Sequence, residues 1–100
     1  MIGVDITNIK RFLNKDLNFV KRVLSKDEIE IYLRIKNEDS KAKFLARTWA
    51  IKEAIFKADN SYVNFNKITI LKKEGRYFFE DFLISTSDEE NFLIAFVTKK

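Results

Sequence analysis

The chain has 100 residues, a net charge of +4 from 19 basic and 15 acidic side chains, and neither cysteine, proline nor histidine. Its length favours a single domain spanning residues 1–100, with enough apolar residues to bury a core. Disulfides and thiolate zinc sites are excluded, and most other transition-metal sites need histidine, so any bound metal is expected to be a hard cation held by oxygen atoms.

The amino terminus shows no signal-peptide pattern, and no run of about 18 apolar residues occurs in the chain. We therefore expect a cytoplasmic protein without a membrane partner. The positive charge favours anionic partners without identifying them.

The chain is predicted to begin with a short strand. Residues 2–5 are an apolar segment that ends in an acid, which predicts a strand presenting Asp5. Two short helices should follow. Ser25 and Glu28 match a capping box, in which the two side chains satisfy free backbone amides at the start of a helix. That helix is predicted to run to about residue 36 and to bury Ile29, Leu33 and Tyr32.

The clearest helical pattern covers residues 40–58. Its core side carries residues at helical spacing: Phe44, Thr48, Ile51 and Ile55, with Leu45 and Ala58 beside them. A second side carries two small residues and two charges: Ala46, Ala50, Glu53 and Lys57. This side could admit a ligand or a neighbouring chain to the helix backbone. The alternative is an ordinary exposed ion pair between Glu53 and Lys57, worth roughly 0.3–0.5 kcal/mol.

The carboxyl-terminal third has the pattern of strands. Polar and apolar residues alternate over 67–72, aromatic residues dominate 76–82, and 92–97 is apolar, with Gly75 suited to a tight turn. Strands that follow one another after the helices predict an α+β fold, with an antiparallel sheet packed against the long central helix.

The two most informative segments resemble motifs of a known family. Gly3-x-Asp5-x-x-x-Ile9-x-Arg11 is similar to the first motif of the holo-[acyl-carrier-protein] synthases, which are small 4'-phosphopantetheinyl transferases. The segment 44–58, which reads Phe-Leu-Ala-x-x-Trp-Ala-x-Lys-Glu-Ala-x-x-Lys-Ala, resembles their central motif. Weaker resemblances follow in the family's order: Phe19-x-x-Arg22-Val23-Leu24-Ser25-x-x-Glu28 and Ile84-Ser85-Thr86-Ser87.

The resemblance implies a magnesium-dependent enzyme of fatty acid biosynthesis. It would transfer 4'-phosphopantetheine from coenzyme A to a serine of apo acyl carrier protein, and it would work as a homotrimer with shared active sites. Asp5 and Glu53 would hold Mg²⁺ against the pyrophosphate, and Lys57 would contact a phosphate oxygen. The resemblance thus implies that Asp5, Glu53 and Lys57 are the catalytic residues.

The resemblance also implies two substrate-binding regions. Coenzyme A would be bound by Lys57, Arg47, Ser85 and Ser87. The acidic recognition helix of the carrier protein would dock on the cationic amino-terminal quarter of the chain, through Arg11 and Arg22. Lys52 would be a charge at a subunit interface or a support behind the metal site.

Three positions depart from the family's pattern. Arg47-Thr48 stands where Gly-Arg is usual, residues 59–64 replace a glycine-rich segment, and Asp88 takes the place of a histidine. These departures affect the expected nucleotide pocket more than the expected metal site.

Two other functions compete with the transferase. Nucleic-acid binding is disfavoured because most aromatic residues occupy core positions and no RNA-binding motif places them among the basic residues. A non-catalytic relative that binds the carrier protein or a nucleotide stays open as the alternative.

Overall fold

The computed structural model describes all of residues 1–100 and has the predicted α+β fold. The elements in chain order are β1 (Ile2–Asn8), a 3-10 helix (Ile9–Phe12), α1 (Leu17–Val23), α2 (Lys26–Arg34), α3 (Glu38–Ala58), a second 3-10 helix (Phe65–Lys67), β2 (Leu71–Lys73), β3 (Arg76–Phe79), β4 (Phe82–Glu89) and β5 (Phe92–Lys99). The five strands form one antiparallel sheet in the order β1-β5-β4-β3-β2. No helix combines the length and the apolar character needed to cross a membrane.

Polar side chains fix the start of each α-helix. The Asp16 carboxylate accepts a hydrogen bond from the Phe19 amide before α1, and the Asn37 side chain accepts one from the Ser40 amide before α3. The predicted capping box is confirmed at α2, where both of its hydrogen bonds are present. Each cap satisfies an amide that has no partner within its own helix.

Three details of the predicted elements are wrong. Helix α2 ends at Arg34, and Leu33 is exposed rather than buried because the buried side of the helix passes through Glu28 and Tyr32. The strand predicted over 67–72 is reduced to Leu71–Lys73, since Lys67 ends a 3-10 helix and residues 68–70 form neither helix nor strand.

Helix α3 is buried on nearly every side. Its first half packs against α1 and α2 through Leu45 and Ala46, and its second half packs against the sheet through Ala50, Ile51 and Ile55. Ala46 and Ala50 are both completely buried, so they do not form the open surface that their spacing suggested. Their small size serves close packing within this chain instead.

Gly3 allows β1 to lie directly on α3. A Cβ atom at this position would come within 1.8 Å of the Ala54 carbonyl oxygen, which is far inside contact distance. The absence of a side chain therefore sets the spacing between β1 and the carboxyl-terminal half of α3. Asp5 lies two residues further along the same strand and faces the same side of the sheet.

Candidate functional site

Asp5 and Lys57 meet where β1 crosses the end of α3. The Lys57 ammonium donates hydrogen bonds to Asp5 Oδ1 and to the Val4 carbonyl oxygen, each over 3.1 Å. The Asp5 side chain is mostly buried, whereas that of Lys57 is half-exposed. Lys57 forms its ion pair with Asp5 and not with Glu53, its neighbour one turn back on the helix. The simple exposed ion pair between Glu53 and Lys57 is therefore not what forms.

Glu53 adds a second carboxylate beside this pair. Partial burial raises the pKa of Glu53, the nearby Asp5 carboxylate raises it further, and Lys57 opposes the shift. A raised pKa from these causes means that the two carboxylates repel each other in a partly desolvated place. A bound cation would relieve that repulsion.

The carboxylates have a free coordination position. Asp5 Oδ2 is buried and has no hydrogen-bond partner, although Oδ1 is occupied by Lys57. The structure contains no group of three or more carboxylate, histidine or cysteine side chains that could hold a metal. Two carboxylates suit Mg²⁺, which commonly takes one or two from the protein and completes its octahedron with phosphate and water oxygens. The donor set therefore fits a divalent cation that arrives with a phosphorylated ligand.

The residues expected to bind coenzyme A are spread over the chain. Arg47 lies on α3 about 120° around the helix from Glu53, and its guanidinium lies over the Tyr77 ring, 5.6 Å from the centroid. It lines a groove of about 420 Å³ between α2, α3 and β2, together with Ile31, Phe44 and Lys72.

Ser85 and Ser87 lie on the opposite face of the sheet from α3. Both are exposed on β4, and they pair in register with Phe96 and Ile94 of β5, which are also exposed. Asp5 is opposite Ala95, whose side chain is fully buried under α3. Within one chain, therefore, the two serines do not come to the Asp5, Glu53 and Lys57 site.

Arg11 and Arg22 come together around an aromatic pair. Arg11 lies over the Phe12 ring at 5.6 Å and Arg22 over the Phe19 ring at 5.8 Å, while the two rings are 6.2 Å apart. Lys15 also lies over Phe19, at 4.8 Å. The structure thus gathers three exposed cations on one apolar support at the start of the chain.

Asp88 is paired within the chain. Its carboxylate forms an ion pair with Lys43 of α3 over 3.3 Å, and both side chains are about 40% exposed. The charge that replaces the expected histidine is therefore partly neutralised by a lysine of the same chain.

The structure contains a buried ion pair that the sequence pattern did not predict. Lys52 and Glu28 are both buried, and their charged atoms are 2.6 Å apart. Burial lowers the pKa of Lys52, and the Glu28 carboxylate opposes this shift. The signal that could have revealed the pair is the position of Lys52 between apolar helix residues, but its partner lies 24 residues away.

Comparisons with known proteins agree with this architecture. The family model of the 4'-phosphopantetheinyl transferase superfamily matches residues 1–97. The chain is 52% identical over 99 residues to the holo-[acyl-carrier-protein] synthase of Mycoplasmopsis pulmonis, covering 99% of this chain and 89% of the relative. It is also 52% identical over 100 residues to the enzyme of that name from Mycoplasma mobile, covering all of this chain and 89% of the relative.

A solved structure shows the same fold. The holo-(acyl-carrier-protein) synthase of Bacillus anthracis, crystallised in complex with CoA (3',5'-ADP), superposes with a TM-score of 0.81 at 27% identity, over 96% of this chain and 91% of that one. The fold, the paired carboxylates with their lysine, and the match over nearly the whole length show that the chain belongs to the 4'-phosphopantetheinyl transferase superfamily.

Proposed function

We propose that this chain is a holo-[acyl-carrier-protein] synthase, which transfers 4'-phosphopantetheine from coenzyme A to a serine of apo acyl carrier protein. The serine hydroxyl gives its proton to a base, and its oxygen forms a bond to the phosphorus that carries pantetheine. The bond from that phosphorus to the bridging oxygen breaks, and adenosine 3',5'-bisphosphate leaves. The single observation that carries the proposal is the partnerless buried oxygen of Asp5 beside Glu53 and Lys57, in a chain that is 52% identical to two synthases.

The chain's own residues would act mainly by position and charge. Asp5 and Glu53 would hold Mg²⁺, which when bound supplies positive charge against the pyrophosphate. Lys57 is half-exposed and has room to turn from Asp5 towards a phosphate oxygen. In phosphoryl transfer the protein contributes chiefly positioning and electrostatic stabilisation, and a fixed lysine serves both.

Carrier-protein docking would use the cations around Phe12 and Phe19. Arg11, Lys15 and Arg22 are exposed and share one aromatic support, so their charges face solvent together. An acidic helix presented to this surface would be steered by long-range attraction and fixed by short ion pairs.

Coenzyme A would extend from the metal site, and its binding would need a neighbouring chain. The sheet face opposite α3 exposes a set of large apolar residues: Ile2, Val4, Ile6, Leu83, Phe92, Ile94 and Phe96. An apolar surface of this extent on a small domain favours association with other copies. We assign it to the interface of a homotrimer, which would carry Ser85 and Ser87 of one chain towards the site of the next. Arg47, in its groove beside Tyr77, would bind another part of coenzyme A.

The activity is tested by incubating apo acyl carrier protein with this chain, coenzyme A and Mg²⁺, followed by intact-protein mass spectrometry. A gain of one phosphopantetheine is expected, and Asp5→Asn and Glu53→Gln should give none while remaining folded. Omission of Mg²⁺ with a chelator present should have the same effect. A wild-type chain that binds the carrier protein or coenzyme A without any mass gain would favour the non-catalytic alternative.

The trimer is tested by sedimentation at micromolar concentration. Ile94→Lys should give a monomer with little activity, because a charge would lie in the centre of the apolar sheet face. Leu33→Lys, at an exposed position on α2, is the matched control and should stay trimeric. A fully active wild-type monomer would contradict the shared site. The cytoplasmic location stays a prediction, which cell fractionation would test.

A further inference from the structure

The buried ammonium of Lys52 has three acceptors from three separate parts of the chain. It donates to Glu28 Oε1 of α2 over 2.6 Å, to the Val23 carbonyl oxygen at the end of α1 over 2.8 Å, and to the Phe65 carbonyl oxygen over 2.8 Å. All three protons of the ammonium are therefore used. Lys52 joins α1, α2 and the segment after α3 at one point.

Glu28 extends the same network. Its Oε1 also accepts from the Ser25 amide over 2.9 Å, and its Oε2 accepts from the Ile70 amide over 2.7 Å. The Thr69 hydroxyl donates to the Ser25 hydroxyl oxygen over 2.8 Å. The backbone just before β2 is thus held against the start of α2 by hydrogen bonds that involve the side chains of Glu28, Ser25 and Thr69.

The network lies between the proposed docking surface and the proposed metal site. Val23, whose carbonyl oxygen Lys52 holds, directly follows Arg22 at the end of α1. Lys52 directly precedes Glu53 on α3. Lys52 points into the protein, and Glu53 lies about 100° further around the helix. The network therefore ties the end of α1 that carries Arg22 to the turn of α3 that carries Glu53.

We propose that Lys52 and Glu28 are positioning residues that set the distance from the carrier-protein docking surface to the site of transfer. A fully buried charge pair is weak as a source of stability, because removing two charges from water costs much of what their attraction returns. Its value here is geometric, since it fixes three backbone segments at once. A carrier protein that binds productively contacts the docking surface and the site of transfer at the same time. A change in the distance between them weakens that simultaneous contact and raises KM for the carrier protein, whereas coenzyme A does not use the docking surface.

The test uses Lys52→Met, Glu28→Gln, the double variant Lys52→Met/Glu28→Gln, and Lys41→Met as the matched control. Methionine keeps the length of the side chain and removes the ammonium. Lys41 lies on the same helix and also reaches α2, over the Tyr32 ring at 4.9 Å, but it stands outside the network. KM and kcat are measured separately for the carrier protein and for coenzyme A at a temperature where each variant is folded.

For Lys52→Met we expect KM for the carrier protein to rise about tenfold, with KM for coenzyme A changed less than about twofold. The double variant should be more stable than the single ones, because no unpaired buried charge is left, yet it should keep the raised carrier KM. Lys41→Met should behave as wild type. A merely structural pair would instead lower the active fraction, so that apparent kcat falls while both KM values stay constant, and that result would overturn the proposal.

Amide hydrogen exchange provides a readout that needs no activity. The kinetic part of the proposal rests on the proposed function, but the exchange measurement does not. A failure of the proposal can therefore be told apart from a failure of the proposed function. In the wild type, the Ile70 amide and the amides in the last turn of α1 should open together as one unit. Lys52→Met should speed exchange in both places and not in β1 or β5. Independent opening of the two segments in the wild type would overturn the proposal even if no variant folded.

Discussion

Lys57 donates a hydrogen bond to the carboxylate of Asp5, 52 residues earlier in the chain, rather than pairing with Glu53 one helical turn away. The contact joins the end of α3 to β1 and leaves Glu53 free to bind another cation. It also holds the ammonium beside both carboxylates. A pyrophosphate that brings Mg²⁺ to those carboxylates would therefore find a lysine already in place.

Replacement of Lys57 by alanine should lower kcat by about 10²–10³-fold, which is typical of removing one preorganised group that stabilises developing charge. KM for coenzyme A should change much less, because the contact is expected to strengthen in the transition state. Steady-state kinetics with coenzyme A varied at saturating carrier protein would measure both. A large rise in KM with kcat unchanged would show instead that Lys57 acts only in ground-state binding.

Much of this arrangement could be predicted from the sequence, because it depends on local patterns. The Ser25 cap, the long helix and the alternating strands each follow from spacing within a few residues. Three features could not be predicted in this way. The burial of Ala46 and Ala50 depends on what packs around the helix. Lys52 and Glu28 are far apart in the sequence. Lys57 forms its ion pair with a residue of another element.

Because β1 lies in close contact with α3, one methyl group added at Gly3 is expected to lower the free energy of unfolding strongly. Gly3→Ala would place Cβ 1.8 Å from the Ala54 carbonyl oxygen, which is helix backbone and cannot rotate away. We expect a loss of about 3 kcal/mol or more in the free energy of unfolding, with activity falling because Asp5 moves with the strand. Urea unfolding would measure the loss.

Gly75→Ala is the matched control for that substitution. Gly75 has a φ of 76° and no atom within 4 Å of an added Cβ, so only backbone strain applies. The expected loss is about 1–2 kcal/mol, with unchanged activity. Equal effects at the two glycines would show that the contact of β1 with α3 is not the cause.

Asp59 is expected to contribute to the dependence of the free energy of unfolding on acidic pH. Hydrogen bonds from the Ser61 hydroxyl, the Lys99 ammonium and the Ser61 amide lower the pKa of Asp59 from 3.8 to about 2. A pKa lower in the folded than in the unfolded chain means that the contribution is complete above about pH 4 and is lost as the pH falls towards 2. Asp59→Asn should therefore flatten the dependence of unfolding free energy on pH within this window.

The measurement is urea unfolding at several pH values between about 2 and 5, compared with Glu30→Gln. Glu30 is exposed on α2 and forms no ion pair, so its replacement should leave the slope unchanged. A wild-type slope in Asp59→Asn would mean that other carboxylates account for the acid sensitivity.

The cationic surface predicts a salt-dependent interaction with one substrate only. Reversal of Arg11 or Arg22 to glutamate should raise KM for the carrier protein far more than KM for coenzyme A. The difference from wild type should shrink as salt increases, because the screening length falls to about 8 Å at physiological ionic strength. Equal rises in both KM values would place these arginines outside the docking surface.

We expect the position of Asp88, where the family's pattern has a histidine, to tolerate substitution. Its carboxylate is held by Lys43 over 3.3 Å, so Asp88→Asn removes a partly screened charge and should leave kcat within about twofold of wild type. Asp88→His should tighten coenzyme A binding modestly, and only below about pH 6.5, where imidazole becomes charged. The nearby Lys43 ammonium would push that transition to still lower pH, because a like charge disfavours a second cation. KM for coenzyme A across pH in both variants checks the assignment, and a severe loss of kcat in Asp88→Asn would make Asp88 a catalytic carboxylate instead.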